Sequence, residues 1–146
     1  MRLFAILALL SLPASADTLD HGLHSLMRGD YQTAAQQLAT AVAERPHDPF
    51  AHFNYASALR ALGQYDDAIG EYRAAFREGD DIMKSDALYG IALARNQQPD
   101  PARSAQAWRE YLAFSSGRPT DAAAAEIARE NLAAAEREMG TRKAAR

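Results

Sequence analysis

Cysteine is absent from all 146 residues. That excludes a disulfide framework and thiolate-based zinc or redox chemistry. A chain without cysteine is at ease in an oxidising compartment such as the periplasm. A dominant charge is lacking too: the net charge of −3 gives no electrostatic basis for binding nucleic acid. Alternating runs of Val, Ile and Thr are missing, so strands are not expected. There is no Gly-rich phosphate loop, nucleophile elbow or zinc-protease motif. No catalytic residue, metal or cofactor is therefore expected, and the chain does not read as an enzyme. Low-complexity linkers are also absent.

Only one long hydrophobic run exists, Leu3 to Leu12. It is about half the roughly 20 residues that a spanning helix needs. Arg2 precedes it, and Pro13 and Ala14-Ser15-Ala16 follow. A basic end, a short apolar core and small residues two apart make a secretory signal. Residues 1–16 are expected to be removed after Ala16, giving an exported, periplasmic or secreted chain with no stable membrane insertion. Loss of Arg2 takes the net charge from −3 to −4.

The chain as a whole is 24% charged and, beyond that run, rich in Ala, which suits closely packed helices. Apolar residues recur at spacings of three and four, the helical pattern. A longer period of 34 overlies it. Gly22, Ala56 and Gly90 stand 34 apart, as do Gly29 and Gly63, Tyr31 and Tyr65, Ala34 and Ala68, Leu38 and Tyr72, and Ala41 and Ala75. The glycines at 29 and 63 fit helix ends, where a left-handed residue is needed. A third unit continues through Tyr89-Gly90 and Leu93. Its later landmarks, Trp108 and Leu112, lie two residues beyond the period, and the "NQQPDP" turn with Pro99 and Pro101 is the expected place for the extra residues. After "SSGRP" comes a last amphipathic helix. Thr120 is its expected N-cap, Ala124, Ile127, Ala128, Leu132, Ala135 and Met139 form its apolar stripe, and Gly140 ends it. Residues 141–146 read as a solvated basic tail.

These landmarks resemble the tetratricopeptide repeat family, best in the unit from Pro49 to Ile82, where His52 replaces the usual Trp. The resemblance implies an all-α fold, a right-handed superhelical solenoid of antiparallel helix hairpins. Its domain covers 17–140, with units at about 17–48, 49–82 and 83–118 and a capping helix at 120–139. It implies a non-enzymatic scaffold that binds a protein or peptide in a hollow lined by the first helix of each unit. Leu19, Asp20, Leu23, Leu26 and Met27 from the first unit would lie there, then Phe50, Phe53, Asn54, Ser57 and Arg60, then Lys84, Leu88, Ile91 and Arg95. Phe53 would anchor a peptide, Asn54 would bond its backbone, and the cations would favour an acidic or C-terminal group. The alternative is that Leu23, Leu88 and Ile91 are partly core and the cations a solvated face. Family members that grip a C-terminal carboxylate use a set of Lys, Asn and Arg; here only Asn54 and Lys84 match, with Leu19, Leu23 and Leu88 at the other places. A hydrophobic peptide or helix is the expected occupant. An accessory subunit built into an envelope assembly is the alternative role.

His21 and His24 share a helix face, but two ligands do not make a metal site. Asp66-Asp67 suits the positive end of a helix, and Asp80-Asp81 a turn that opens one.

Overall fold

The computed structural model describes residues 15–116 and 122–145. Seven helices run through them: α1 Ser15–Met27, α2 Tyr31–Glu44, α3 Pro49–Ala61, α4 Tyr65–Glu78, α5 Asp81–Asn96, α6 Pro101–Ser115 and α7 Ala122–Ala144. Thr120 and Asp121 lie outside the described residues, as do most of residues 1–16.

Local chemistry sets the helix starts. Asp48 accepts from the backbone N–H groups of Phe50 and Ala51, and Pro49 fills the first turn. Asp100 and Pro101 repeat that arrangement at α6. Asp30 and Asp80 cap α2 and α5 through Thr33 and Met83. Each cap satisfies N–H groups that a helix cannot bond internally, and Pro at the first position gives up an N–H that has no partner anyway. At the first two hairpins the chain leaves its helix through Gly29 at φ 75° and Gly63 at φ 77°. Gln64 N–H then donates to Leu59 O and Gly63 N–H to Arg60 O, the paired bonds of a Schellman stop.

Each helix packs on the next, giving the hairpins α1/α2, α3/α4 and α5/α6, with α7 against α6. Alanines at 34, 35, 41, 51 and 58 join Leu19 and Leu38 in one core, and a second core runs from Ala56 to Ala128 around Tyr72, Trp108 and Tyr111. Tyr55 touches both. Small residues let the helices approach: a Cβ at Gly22 would lie 2.6 Å from Leu38 Cγ. His52, buried where the family carries Trp, bridges three segments: Nδ1 lies 2.6 Å from Glu71 Oε2 on α4, and Nε2 lies 3.0 Å from the Pro46 carbonyl.

The third unit departs from the sequence expectation. Phe53 meets Tyr72 edge-on at 5.4 Å, and Tyr89 meets Trp108 edge-on at 5.6 Å. Both pairs are 19 residues apart, so Tyr89, not Ala87, is the counterpart of Phe53, and the offset between the two units is 36 throughout. Burial agrees: the fully buried Ala51, Ala56 and Ala58 return as Ala87, Ala92 and Ala94. The extra residues therefore do not sit in the "NQQPDP" turn. They precede α5, which begins four residues before Ser85, the counterpart of Pro49, and so carries an added turn, Asp81 to Lys84. Gly90 is not the small landmark of its unit; it approaches Tyr72 of the preceding hairpin.

The C-terminal expectation is corrected too. Helix α7 passes through Gly140 to Ala144. A glycine inside a helix costs only about 1 kcal/mol against Ala, and Arg142 beyond it bonds Glu138 at 2.6 Å and the Pro99 carbonyl at 3.3 Å. Residues 141–144 of the basic tail are thus the last turn of a helix.

Candidate binding groove

Helices α1, α3, α5 and α7 form one layer and α2, α4 and α6 the other. In the first layer α1 touches α3 and α3 touches α5, while α2, α4 and α6 share no comparable contact. A stack whose members meet on one side and part on the other bends toward the meeting side, so the first layer lines the hollow. Among the described residues, four of the five exposed large apolar side chains belong to that layer: Met27 (87% exposed), Phe50 (46%), Ile82 (68%) and Ile127 (43%).

The expected groove residues divide. Leu23 is half-buried against the first core. Phe53 is half-buried on Tyr72, so it serves packing as well as the hollow face. Asn54 is buried, and its amide Nδ2 donates to the Phe50 carbonyl at 2.8 Å. Ser57 Oγ lies 3.0 Å from the Phe53 carbonyl and 3.1 Å from the Tyr72 hydroxyl. These polar groups hold α3 together before any ligand arrives. Arg60 is half-buried near the end of α3, its Nε without a hydrogen-bond partner.

Lys84, Ile91 and Arg95 are not brought to Phe53. With the 36-residue offset, Lys84 corresponds to the cap Asp48 and lies in the added turn of α5. Ile91 and Arg95 are on the far side of α5 from Tyr89. They line a cavity of about 230 Å³ between α4 and α6, with Arg73, Arg103 and Glu110. Arg95 bonds Gln98 Oε1 at 2.7 Å and lies 3.4 Å from Asp66 Oδ1. Of the cations assigned to the hollow, Arg95 therefore faces the outer layer.

Residues that the 34-residue spacing missed take their place. Asp86, Tyr89 and Leu93 are the α5 counterparts of Phe50, Phe53 and Ser57. On α7 the buried pair Ala128 and Ala135 repeats the seven-residue spacing of Ala51 and Ala58, which makes Ile127 the counterpart of Phe50. The 19-residue aromatic spacing was the sequence signal for this register. Between the N-terminal halves of α5 and α7 a cleft of about 470 Å³ opens, lined by Ile82, Asp86, Tyr89, Tyr111, Ala124 and Ile127 among others. Farther along, Asn96 donates to Asn131 at 3.3 Å and ties the two helices. Asp86 is exposed at the mouth of the cleft, and partial desolvation there, then the nearby Asp80, holds its carboxyl above its usual range.

His21 and His24 are both exposed, and among the described residues no three metal-ligating side chains gather. No helix among them is long and apolar enough to cross a membrane.

A search of curated proteins found no match. Among solved structures, the Sgt2 TPR domain from Aspergillus fumigatus superposes with a TM-score of 0.71 at 20% identity, covering 90% of this chain and 83% of that one. The Arabidopsis OM64 TPR domain gives 0.69 at 18%, covering 82% and 93%. The second TPR domain of human RPAP3, in complex with HSP70 peptide SGPTIEEVD, gives 0.68 at 17%, covering 84% and 94%. At these identities the likeness is one of fold. The sequence profile of the Tetratricopeptide repeat matches residues 19–81 and 60–119, which together span most of the chain. The chain belongs to the tetratricopeptide repeat family.

Proposed function

We propose that the chain is a non-enzymatic scaffold of the bacterial cell envelope that holds a protein or peptide partner against its hollow face. One observation carries the reading: four of the five exposed large apolar side chains among the described residues belong to the inner layer, and two of them, Ile82 and Ile127, line one cleft. Exposed apolar surface of this kind marks an interaction site. The RPAP3 domain is similar in fold and is in complex with a peptide, which supports a peptide or protein partner here.

Phe50 is the most direct probe, because it is exposed while its neighbours Phe53 and Asn54 also carry packing. Phe50→Ala is expected to weaken partner binding by about 2 kcal/mol, the size of an aromatic hot spot. Stability should stay within about 0.5 kcal/mol of the parent, as for other surface changes. Titration of the partner by calorimetry, with a thermal melt of the same sample, separates the two effects. An unchanged affinity would remove Phe50 from the interface.

Export rests on the order of Arg2, the run Leu3 to Leu12 and Ala14-Ser15-Ala16. Cutting after Ala16 takes only the first two residues of α1. Intact-mass measurement of periplasmic material should show a chain beginning at Asp17; a cytoplasmic chain that keeps Met1 would contradict export.

A further inference from the structure

The cleft between α5 and α7 differs from the rest of the hollow in one respect. The counterpart positions on α3 and α7 hold Phe50 and Ile127, and α5 puts a carboxylate, Asp86, in that place. Among the described residues Asp86 makes neither a hydrogen bond nor an ion pair, and the ionised group nearest in effect is another carboxylate, Asp80. Its surroundings are apolar and aromatic: Ile82 and Ile127 stand exposed on either side, and Tyr89 packs edge-on against Tyr111 at 5.2 Å behind them. Asp86 is itself exposed, so its carboxylate is open to a partner from the hollow side. The volume of about 470 Å³ lies in the ~300–1,000 Å³ range of ligand pockets.

We propose that this cleft receives a lysine or arginine side chain of the peptide partner, with the alkyl stem between Ile82 and Ile127 and the charged head on the Asp86 carboxylate. Long basic side chains lay their stems on apolar surface while the head keeps a polar partner. Aromatic walls add attraction for a cation. The preferred partner is thus an apolar segment carrying a basic residue, the opposite in charge of an acidic C-terminal peptide. This inference rests on the proposed use of the hollow face.

The test selects peptides from a random 12-residue phage library on the immobilised chain. A representative sequence is then synthesised with a fluorescent label, once with arginine at its basic position and once with citrulline, which keeps arginine's shape and loses the charge. Both are titrated against the parent and Asp86→Asn. The selected peptides should share Lys or Arg beside apolar residues. Citrulline should cost about tenfold on the parent, in line with a charged hydrogen bond, and much less on Asp86→Asn. Selected peptides without a basic residue, or an equal citrulline loss on both proteins, would overturn the cleft assignment and leave the groove reading standing. Recovery of no peptide at all would overturn both. Thermal melts guard the comparison. A carboxyl raised in the folded state adds stability below its unfolded value and loses it as pH rises through the folded one, so Asp86→Asn should melt no lower than the parent at pH 7.

Discussion

Ala68→Glu is expected to unfold the array. Ala68 has no exposed surface and sits in the α3/α4 core with Ala56 and Tyr72. A glutamate there places an unpaired charge between two helices that meet only because the residue is small. An uncompensated buried charge costs about 3–5 kcal/mol, and overpacking adds about 1–3 kcal/mol. Whole domains have only about 5–15 kcal/mol to lose. Circular dichroism at 25 °C should show most of the helical signal gone. Ala113→Glu, an exposed position on α6, is the control and should keep it. A native spectrum for Ala68→Glu would mean that this hairpin interface is not packed as described.

Trp108→Ala should be nearly as damaging, and it addresses the corrected register. Trp108 is fully buried and stands edge-on to both Tyr89 and Tyr111. Truncating a buried aromatic of this size costs about 3–5 kcal/mol, and the two ring pairs contribute within that loss. The damage should centre on α5, α6 and α7, because a repeat unit depends on its immediate neighbours. Amide hydrogen exchange should therefore show protection falling first in residues 85–135, with 19–60 following less steeply. Uniform loss across the chain, or loss confined to α1–α3, would contradict the packing assigned to the third unit.

Much of this architecture is legible in the sequence. Gly29 and Gly63 mark the two hairpin stops, where positive φ leaves little alternative to glycine. The alanines at 34, 41, 68 and 75 lie fully buried at the expected interfaces, and Ala128 and Ala135 face the core along the stripe read in the last helix. The third unit misled for a physical reason. Helix α5 carries small residues at 85, 87, 90, 92 and 94, so a period of 34 finds a small residue there whichever face is inward. Gly90 satisfied the count while pointing at the previous hairpin. The prolines of "NQQPDP" drew attention, yet Asp100-Pro101 only repeats the helix start seen at Asp48-Pro49. An added turn of helix leaves no punctuation in the sequence, whereas a pair of rings that must touch leaves a fixed spacing. That is why Phe53–Tyr72 and Tyr89–Trp108 carry the true register, and why a period of 34 puts Ile91 and Arg95, rather than Asp86 and Tyr89, on the hollow face.

The central claim is that the partner lies against α1, α3, α5 and α7 and not against the outer layer. Site-specific photocrosslinking in the native cell tests it most directly. A photoreactive phenylalanine analogue placed singly at Phe50, Leu93 and Ile127 samples the hollow, and at Arg73 and Arg103 the cationic outer cavity. The account predicts one discrete adduct of the same added mass from the three inner positions and none from the two outer ones. An adduct from 73 and 103 with the inner positions silent would contradict it.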